Sequence, residues 1–381
     1  MLGHMKLALL SLCFLAGCGA DVSPGLSGPG LPEAGTALEQ PQIVATPEGD
    51  LLLVWTARNS GGVDVFLSRS ENSEFQPAIR VNDAPGSASR IQIDEMRPAV
   101  ATGPDGQVAV VWTDTDYDIE ASVSPDGGRS FAPPVRLNRD AADALQEFPS
   151  AAFDRAGRLH AVWLDPRVAG PNLEEPADLY YTSLGDDGEP APETNLTAAQ
   201  ESSVCGCCLP DLRVNEDDSL TITFRNTTSD GYRDPFRITG RDGRFGAPAP
   251  VSPPIWRIDA CPVAGPIGVG ATTLWLDGSQ GIRRLLAASA PEAQPQMVLA
   301  DTDTDLLLLP PRRVSGLPDD SPVVLVPMAD SSRLIVPDGD SWRILADDLP
   351  FWVTSAAVHG GRLVMVGTAE GFQHESRPWD D

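Results

Sequence analysis

The chain is almost without lysine. Lys6 is the only one in 381 residues, so every later basic side chain is Arg or His. With 54 Asp and Glu against 27 Lys and Arg, the formal net charge is −27, and nucleic acid and anionic membrane surfaces are excluded as expected partners because both would repel it. The acid names no ligand by itself, since charge of this kind ordinarily solvates a surface. Tyrosine is scarce too: Tyr117, Tyr180, Tyr181 and Tyr232 are the four, with none beyond 232. No stretch after the N-terminus carries a sustained helical period with caps, so a parallel sheet with crossover helices is excluded. Nor does a Ser-His-Asp spacing, a phosphate-cradling glycine loop or a zinc-protease motif occur.

What is present is a repeated phrase: a short apolar run, a polar turn of two to four residues, and a second apolar run often ending in Trp or Phe. Copies begin at Pro41, Pro98, Pro149, Pro210 and Pro266, spaced 57, 51, 61 and 56 residues apart, with weaker copies over 307–328 and 352–368. A period near fifty predicts an array or a propeller. The turns (Glu-Gly-Asp, Pro-Asp-Gly-Gln, Arg-Ala-Gly-Arg) are hairpin signals. A third strand such as DVFLSRS from Asp64 and a tail such as PVRLNRD from Pro134 complete four strands per unit, which is one propeller blade. The expected fold is therefore an all-β propeller in one domain over 39–381. Seven blades are favoured over six, with residues 36–39 supplying the last blade's fourth strand and closing the ring. The 36 prolines and 35 glycines read as tight turns in a chain that is 41% hydrophobic.

The N-terminus reads as an export signal over 1–17: Lys6, the apolar run from Leu7, too short to span a membrane, and then Leu15-Ala16-Gly17-Cys18. That tetrapeptide resembles a bacterial lipobox, which implies lipidation of Cys18 and attachment to a membrane by the lipid anchor alone. Neither Gly19 nor Ala20 resembles the aspartate of an inner-membrane retention signal, so the outer membrane is the expected location. Residues 18–38, rich in Pro, Gly and Ser, read as a flexible tether.

Ser124-Pro125-Asp126-Gly127-Gly128-Arg129-Ser130-Phe131 matches S-x-D-x-G-x-x-[FW]. On this Asp box the chain resembles the sialidase-like (BNR-repeat) propeller proteins. In that motif Ser124 and Asp126 cap a turn, Gly128 takes a backbone angle other residues resist, and Phe131 plugs the blade. The resemblance would imply a carboxylate-gripping arginine triad, a Tyr nucleophile assisted by Glu, and an Asp acid. Arg58, Arg167 and Arg225 follow the second strand in three units and are the candidate ligand-binding arginines, on the expectation that they converge on one face. The bland reading of each is an ion pair. No tyrosine stands where the nucleophile belongs, and Phe236-Arg237-Ile238-Thr239 echoes a family motif only by chance. Catalytic residues are therefore unassigned, and the leading expectation is a non-catalytic module binding a small ligand, a glycan or a protein. The alternative is a divergent glycan-active hydrolase or lyase.

Four further cysteines, Cys205, Cys207, Cys208 and Cys261, lie just ahead of first strands; Cys205 and Cys261 each stand five residues before a repeat proline. Equivalent positions in consecutive units should meet in space at the channel edge. In an exported chain the favoured reading is two disulfides. A thiolate site for copper or zinc and a redox pair are the alternatives. Glu39, Asp94, Glu95 and Glu147 precede the repeat prolines and predict an acidic, cation-favouring channel mouth. Asp114, Asp116 and Asp118, like Asp301, Asp303 and Asp305, lack the Gly and Glu of a calcium loop and read as surface loops. His160 reads as a packed or edge histidine.

Overall fold

The computed structural model describes residues 26–381 apart from 90–95, 140–143, 168–176, 186, 261, 301–309, 318–321, 329–330, 348, 350–352, 369–370 and 380–381. Expectations that fall on Cys18, Asp94, Glu95, Cys261 and Asp301 to Asp305 lie outside these residues.

The repeat phrases become seven antiparallel sheets in chain order, the seven blades of a propeller. In blades 1 to 5 the first strand follows the repeat proline or contains it. Blade 1 is built from Glu39–Ala45, Leu51–Asn59 and Gly62–Glu71, with short outer strands Glu74–Phe75 and Ile79–Arg80. Blade 2 holds Ala99–Thr102, Val108–Thr113, Ile119–Ser124 and Val135–Arg136. Blade 3 holds Glu147–Phe153, Leu159–Asp165, Asp178–Leu184 and Thr194–Asn195. Blade 4 begins with Asp211–Val214, Leu220–Thr227 and Pro235–Arg241, and ends in Arg244–Phe245 and Ala249–Pro250. The extra strand Ser203–Val204 pairs with the far end of its second strand. Blade 5 runs Ile267–Val269, Thr272–Asp277, Arg284–Ala288, Gln296–Ala300. Blade 6 runs Arg312–Arg313, Val324–Pro327, Ser332–Asp338, Ser341–Ala346. Blade 7 has, among the described residues, the three strands Val353–His359, Arg362–Gly367 and Gln373–Pro378.

Strand periodicity puts the core between blades. In the second strand of blade 1, Leu52 and Val54 pack against Val108, Val110 and Trp112 of blade 2. The alternate residues Leu51, Leu53 and Trp55 face Ala357, Val364 and Val366 of blade 7. Successive side chains leave opposite faces of a strand, so a blade with neighbours on both sides must be apolar at every position, which is why these runs show no alternation. Trp163 and Trp275, both fully buried, sit at these inter-blade faces, each contributing roughly 2–3 kcal/mol by transfer.

Around the axis the first strands are joined by hydrogen bonds. Gln42 Nε2 donates to Pro98 O (2.8 Å), Leu212 N to Ser150 Oγ (3.0 Å) and Gly268 N to Asp211 Oδ2 (2.8 Å). Arg313 reaches Gly268 O at 2.7 Å, and Ser315 bridges Ala357. The ring closes where Ile43 N donates to Ser355 Oγ (3.1 Å) and Thr354 Oγ1 to Pro41 O (3.0 Å). The N-terminal segment does reach blade 7, but through two backbone bonds rather than a ladder: Gly35 N to Phe372 O and Phe372 N to Thr36 O, both 2.9 Å. Glu39 belongs instead to blade 1.

Candidate functional site

Five consecutive first strands enclose an axial cleft of about 150 Å³. Its wall is a ring of repeat prolines, Pro98, Pro149, Pro210, Pro266, Pro310 and Pro311, with Arg97, Ser150, Asp211 and Arg313 among them. Proline fixes φ and removes a donor, so the rim is stiff and offers few backbone N–H groups. The charged groups are two arginines and one aspartate. Arg313 grips Asp211 with both guanidinium nitrogens, Nη1 to Oδ2 at 2.8 Å and Nη2 to Oδ1 at 2.7 Å, while Asp211 also accepts from Gly268 N. Among the described residues the cleft lining carries two arginines against one aspartate, where an acidic, cation-favouring mouth was expected; Asp94 and Glu95 lie outside those residues.

The reason lies with the glutamates. Glu147 opens the first strand of blade 3, where the register slips before Ser150 and Phe148 takes a positive φ of 58°. Blade 1 repeats the device, with a slip between Glu39 and Gln42 and Gln40 at φ 51°. The bulge turns Glu147 inward, where it is 1% exposed and neither carboxylate oxygen has a hydrogen-bond partner. Burial raises its pKa to about 8, so at neutral pH it is an uncharged acid. Glu39 faces Arg58 at 3.5 Å.

The three candidate arginines do not form a grip. Arg58 is half exposed and pairs with Glu39. Arg167 is held by Asp165 and by Glu193 at 2.5 Å and lies 4.0 Å over the Tyr180 ring. Arg225 is fully buried and donates to the carbonyls of Ala264 (3.0 Å), Arg233 (2.6 Å) and Leu276 (3.0 Å). The ion-pair reading holds for the first two, and the third is an internal brace between blades 4 and 5. Arg97, Asp211 and Arg313 escaped notice in the sequence; the signal available was a charged residue within two positions of a repeat proline.

The Asp box folds as its chemistry demands. Ser124 Oγ donates to Asp126 Oδ1 (2.7 Å) and accepts from Gly128 N (2.7 Å). Partial desolvation opposes ionisation of Asp126, but hydrogen bonds from the Ser130 and Ser124 hydroxyls and from the N–H groups of Ser130 and Arg129 hold its pKa down to about 2. Gly128, at φ 87°, packs so closely that a Cβ would meet Leu67 Cδ2 at 3.1 Å, and Phe131 packs on the blade 1–blade 2 core. The box is structural.

In the Asp114 loop, Asp114 Oδ1 accepts from Asp116 N (2.8 Å) and Asp118 N (2.9 Å), an Asx turn. Next to it Glu120 has its pKa raised to about 7 by burial and by the charges of Asp114 and Asp118. His160 is buried between Tyr181 OH (2.7 Å) and Asp154 Oδ2 (3.2 Å), a packed histidine whose pKa burial lowers.

The sulfurs of Cys205, Cys207 and Cys208 lie within 4.8 Å of one another and are buried. Val263 packs on them, and Ala264 N donates to Cys208 Sγ at 3.4 Å, so the loops ahead of blades 4 and 5 do meet. Two disulfides are not what forms. Cys205 carries a free thiol, which two disulfides among the four cysteines would not leave. The three sulfurs together are near enough to share one copper or zinc ion.

No protein-family model matches the chain. No curated protein matches it either. Among solved structures it is similar to an ulvan lyase, of a new polysaccharide lyase family, bound to a GlcA(1-4)Rha3S saccharide: TM-score 0.56, 11% identity, 81% of this chain and 80% of that one. It is similar to an α-L-arabinanase of Penicillium chrysogenum complexed with arabinobiose, with TM-score 0.50, 14% identity, and 89% and 92% coverage. It also resembles the β-propeller domain of the Trilobed protease of Pyrococcus furiosus, of open velcro topology, with TM-score 0.51, 12% identity, and 90% and 97% coverage. At these identities the likeness defines the fold class, a seven-bladed β-propeller. The sharper sialidase-like resemblance rests on the Asp box alone.

Proposed function

We propose that the chain is an exported, glycan-active propeller that takes an acidic saccharide into the axial cleft. The observation that carries this reading is the pair Arg97 and Arg313 on a proline-stiffened rim in an otherwise strongly acidic protein. Guanidinium groups suit the carboxylate or sulfate of such a sugar in bidentate geometry, and a rigid wall lowers the ordering cost of binding. The ligands bound to the ulvan lyase and to the arabinanase, both saccharides, agree with a glycan. Glu147, two residues from cleft-lining Pro149, is held neutral by burial but does not line the cleft, so no proton donor is assigned. Export with a lipid anchor at Cys18 in the outer membrane is part of the proposal, supported by the lipobox residues, and would leave the propeller facing polysaccharide outside the cytoplasm.

Binding without cleavage is a second reading, favoured by the engagement of Asp211 with Arg313 and Gly268 and by the burial of Glu147. Incubating the full chain with uronate-containing and with neutral polysaccharides, and reading both new reducing ends and the absorbance of unsaturated sugar, separates the two. Products from the acidic set alone support catalysis. Retention of acidic glycan without products supports the binding module, and neither would sink the glycan assignment.

A further inference from the structure

Blades 5 and 6 leave between them a second cavity of about 200 Å³, against about 150 Å³ for the axial cleft. The two are separate places: the first strand of blade 5 begins in the cleft with Ile267 and ends in this cavity with Val269. The opposite wall is a hairpin of blade 6, whose third strand turns through Gly339 and Asp340 into the fourth. Gly339 takes a φ of 59° there, and no atom stands within 4 Å of where its Cβ would be, so the turn is uncrowded. Trp342 follows on the fourth strand, opposite Pro337. It is half-buried, packs on the core between blades 5 and 6, and lines the cavity. Its indole is therefore held in place before any ligand arrives, which lowers the ordering cost of binding.

The rest of the lining is hydroxyl-rich and carries little charge. The Thr272 and Ser289 hydroxyls lie 3.1 Å apart, and Gln296 Nε2 donates to Asp340 O at 2.5 Å, tying the outer strand of blade 5 to the blade 6 turn. Among the described residues Asp340 is the one charged group of the lining, and no arginine faces the cavity. An anionic ligand would meet that carboxylate within a chain of −27 and be repelled. We propose that this cavity is a peripheral site for a neutral saccharide, with one sugar ring of a longer chain laid on Trp342. The C–H face of such a ring is apolar and suits the indole. Its hydroxyls reach the Thr272 and Ser289 hydroxyls and donate to Asp340, whose charge strengthens the hydrogen bond. The volume, below the roughly 300–1,000 Å³ of pockets that enclose a whole small ligand, fits a single ring. This site does not depend on the acidic-sugar reading of the axial cleft, and its selectivity is the opposite one.

The test is titration of the full chain with neutral arabino-, xylo- and gluco-oligosaccharides, followed by saturation-transfer NMR and calorimetry. At least one of the three should bind the wild type. Trp342→Ala should weaken that binding about tenfold or more, whereas Trp342→Phe, which keeps a ring, should weaken it about threefold. Ser289→Tyr fills the cavity from an exposed position and should block the sugar even if Trp342→Ala fails to fold. The Arg97→Gln/Arg313→Gln variant should bind the neutral sugar as the wild type does. The same variants titrated with a uronate oligosaccharide report on the cleft alone, so failure of one site is told apart from failure of the other. No binding of any of the three neutral sugars would overturn the proposal, as would binding unmoved by Ser289→Tyr. Loss of neutral-sugar binding in the double arginine variant would also overturn it, by placing that sugar in the axial cleft.

Discussion

The Arg313 guanidinium meets the Asp211 carboxylate in a two-point contact, 2.7 and 2.8 Å, that joins blade 4 to blade 6 past the edge of blade 5. Sequence neighbours do not make this pair: 102 residues separate them. It turns the narrow end of the first strands into a cleft with a defined charged wall. Arg313→Gln should therefore weaken an acidic saccharide's binding by about tenfold or more, since a charge-assisted contact is worth roughly 1.5–3 kcal/mol. Because the arginine is partly exposed, the thermal midpoint should move little. A variant that unfolds, or one that binds like the wild type, would remove Arg313 from the site.

Glu147 gives a pH prediction. Its folded pKa of about 8 lies above the ordinary 4.5. Below 4.5 both folded and unfolded chains hold the proton and nothing is lost. Between 4.5 and 8 the unfolded chain ionises while the folded one does not, so this residue destabilises the fold progressively as pH rises. Glu147→Gln should be more stable than the wild type at pH 8 and nearly equal at pH 4.5. Urea midpoints at the two pH values check it; a constant difference would place the carboxylate in contact with a partner or with water.

Arg225 and Arg58 make a contrast. Arg225→Met strands three carbonyls in a dry interface, at about 3 kcal/mol or more. Arg58→Ala removes an exposed pair at 3.5 Å and should cost less than about 0.5 kcal/mol. Equal costs in denaturant melts would contradict the assignment of Arg225 as an internal brace.

Asp126→Ala should cost about 1 kcal/mol, as for loss of a capping side chain, with no effect on saccharide binding. Because the folded pKa is near 2, its contribution is present above the ordinary 3.8 and fades as pH falls through 2. Reduced binding at unchanged stability would give the Asp box a role it lacks here.

Much of the fold was legible because blades are local. Each proline phrase is a hairpin whose partner strands lie within thirty residues, and the Asp box declares its own turn. What escaped reading is what depends on the ring. Nothing local tells that Arg225 is swallowed between blades while Arg58, at a comparable place in its phrase, stays in solvent. The bulge that buries Glu147 depends on a slip between strands, so four acidic residues before repeat prolines looked like one charged rim. Arg313 lies within one of the weaker copies of the phrase, and its partner Asp211 is found only once the circle closes. The cysteine loops were legible as neighbours because they keep the same offset from a repeat proline, but the bonding within the cluster was not.

The most direct test of the account is calorimetric titration of the full chain with a uronate oligosaccharide, beside a neutral arabino-oligosaccharide of equal length and an Arg97→Gln/Arg313→Gln double variant. The account predicts saturable, salt-sensitive binding of the acidic sugar, weaker binding of the neutral one, and loss of the preference in the variant. Equal affinity for both sugars, or an unchanged preference without the two arginines, would contradict it.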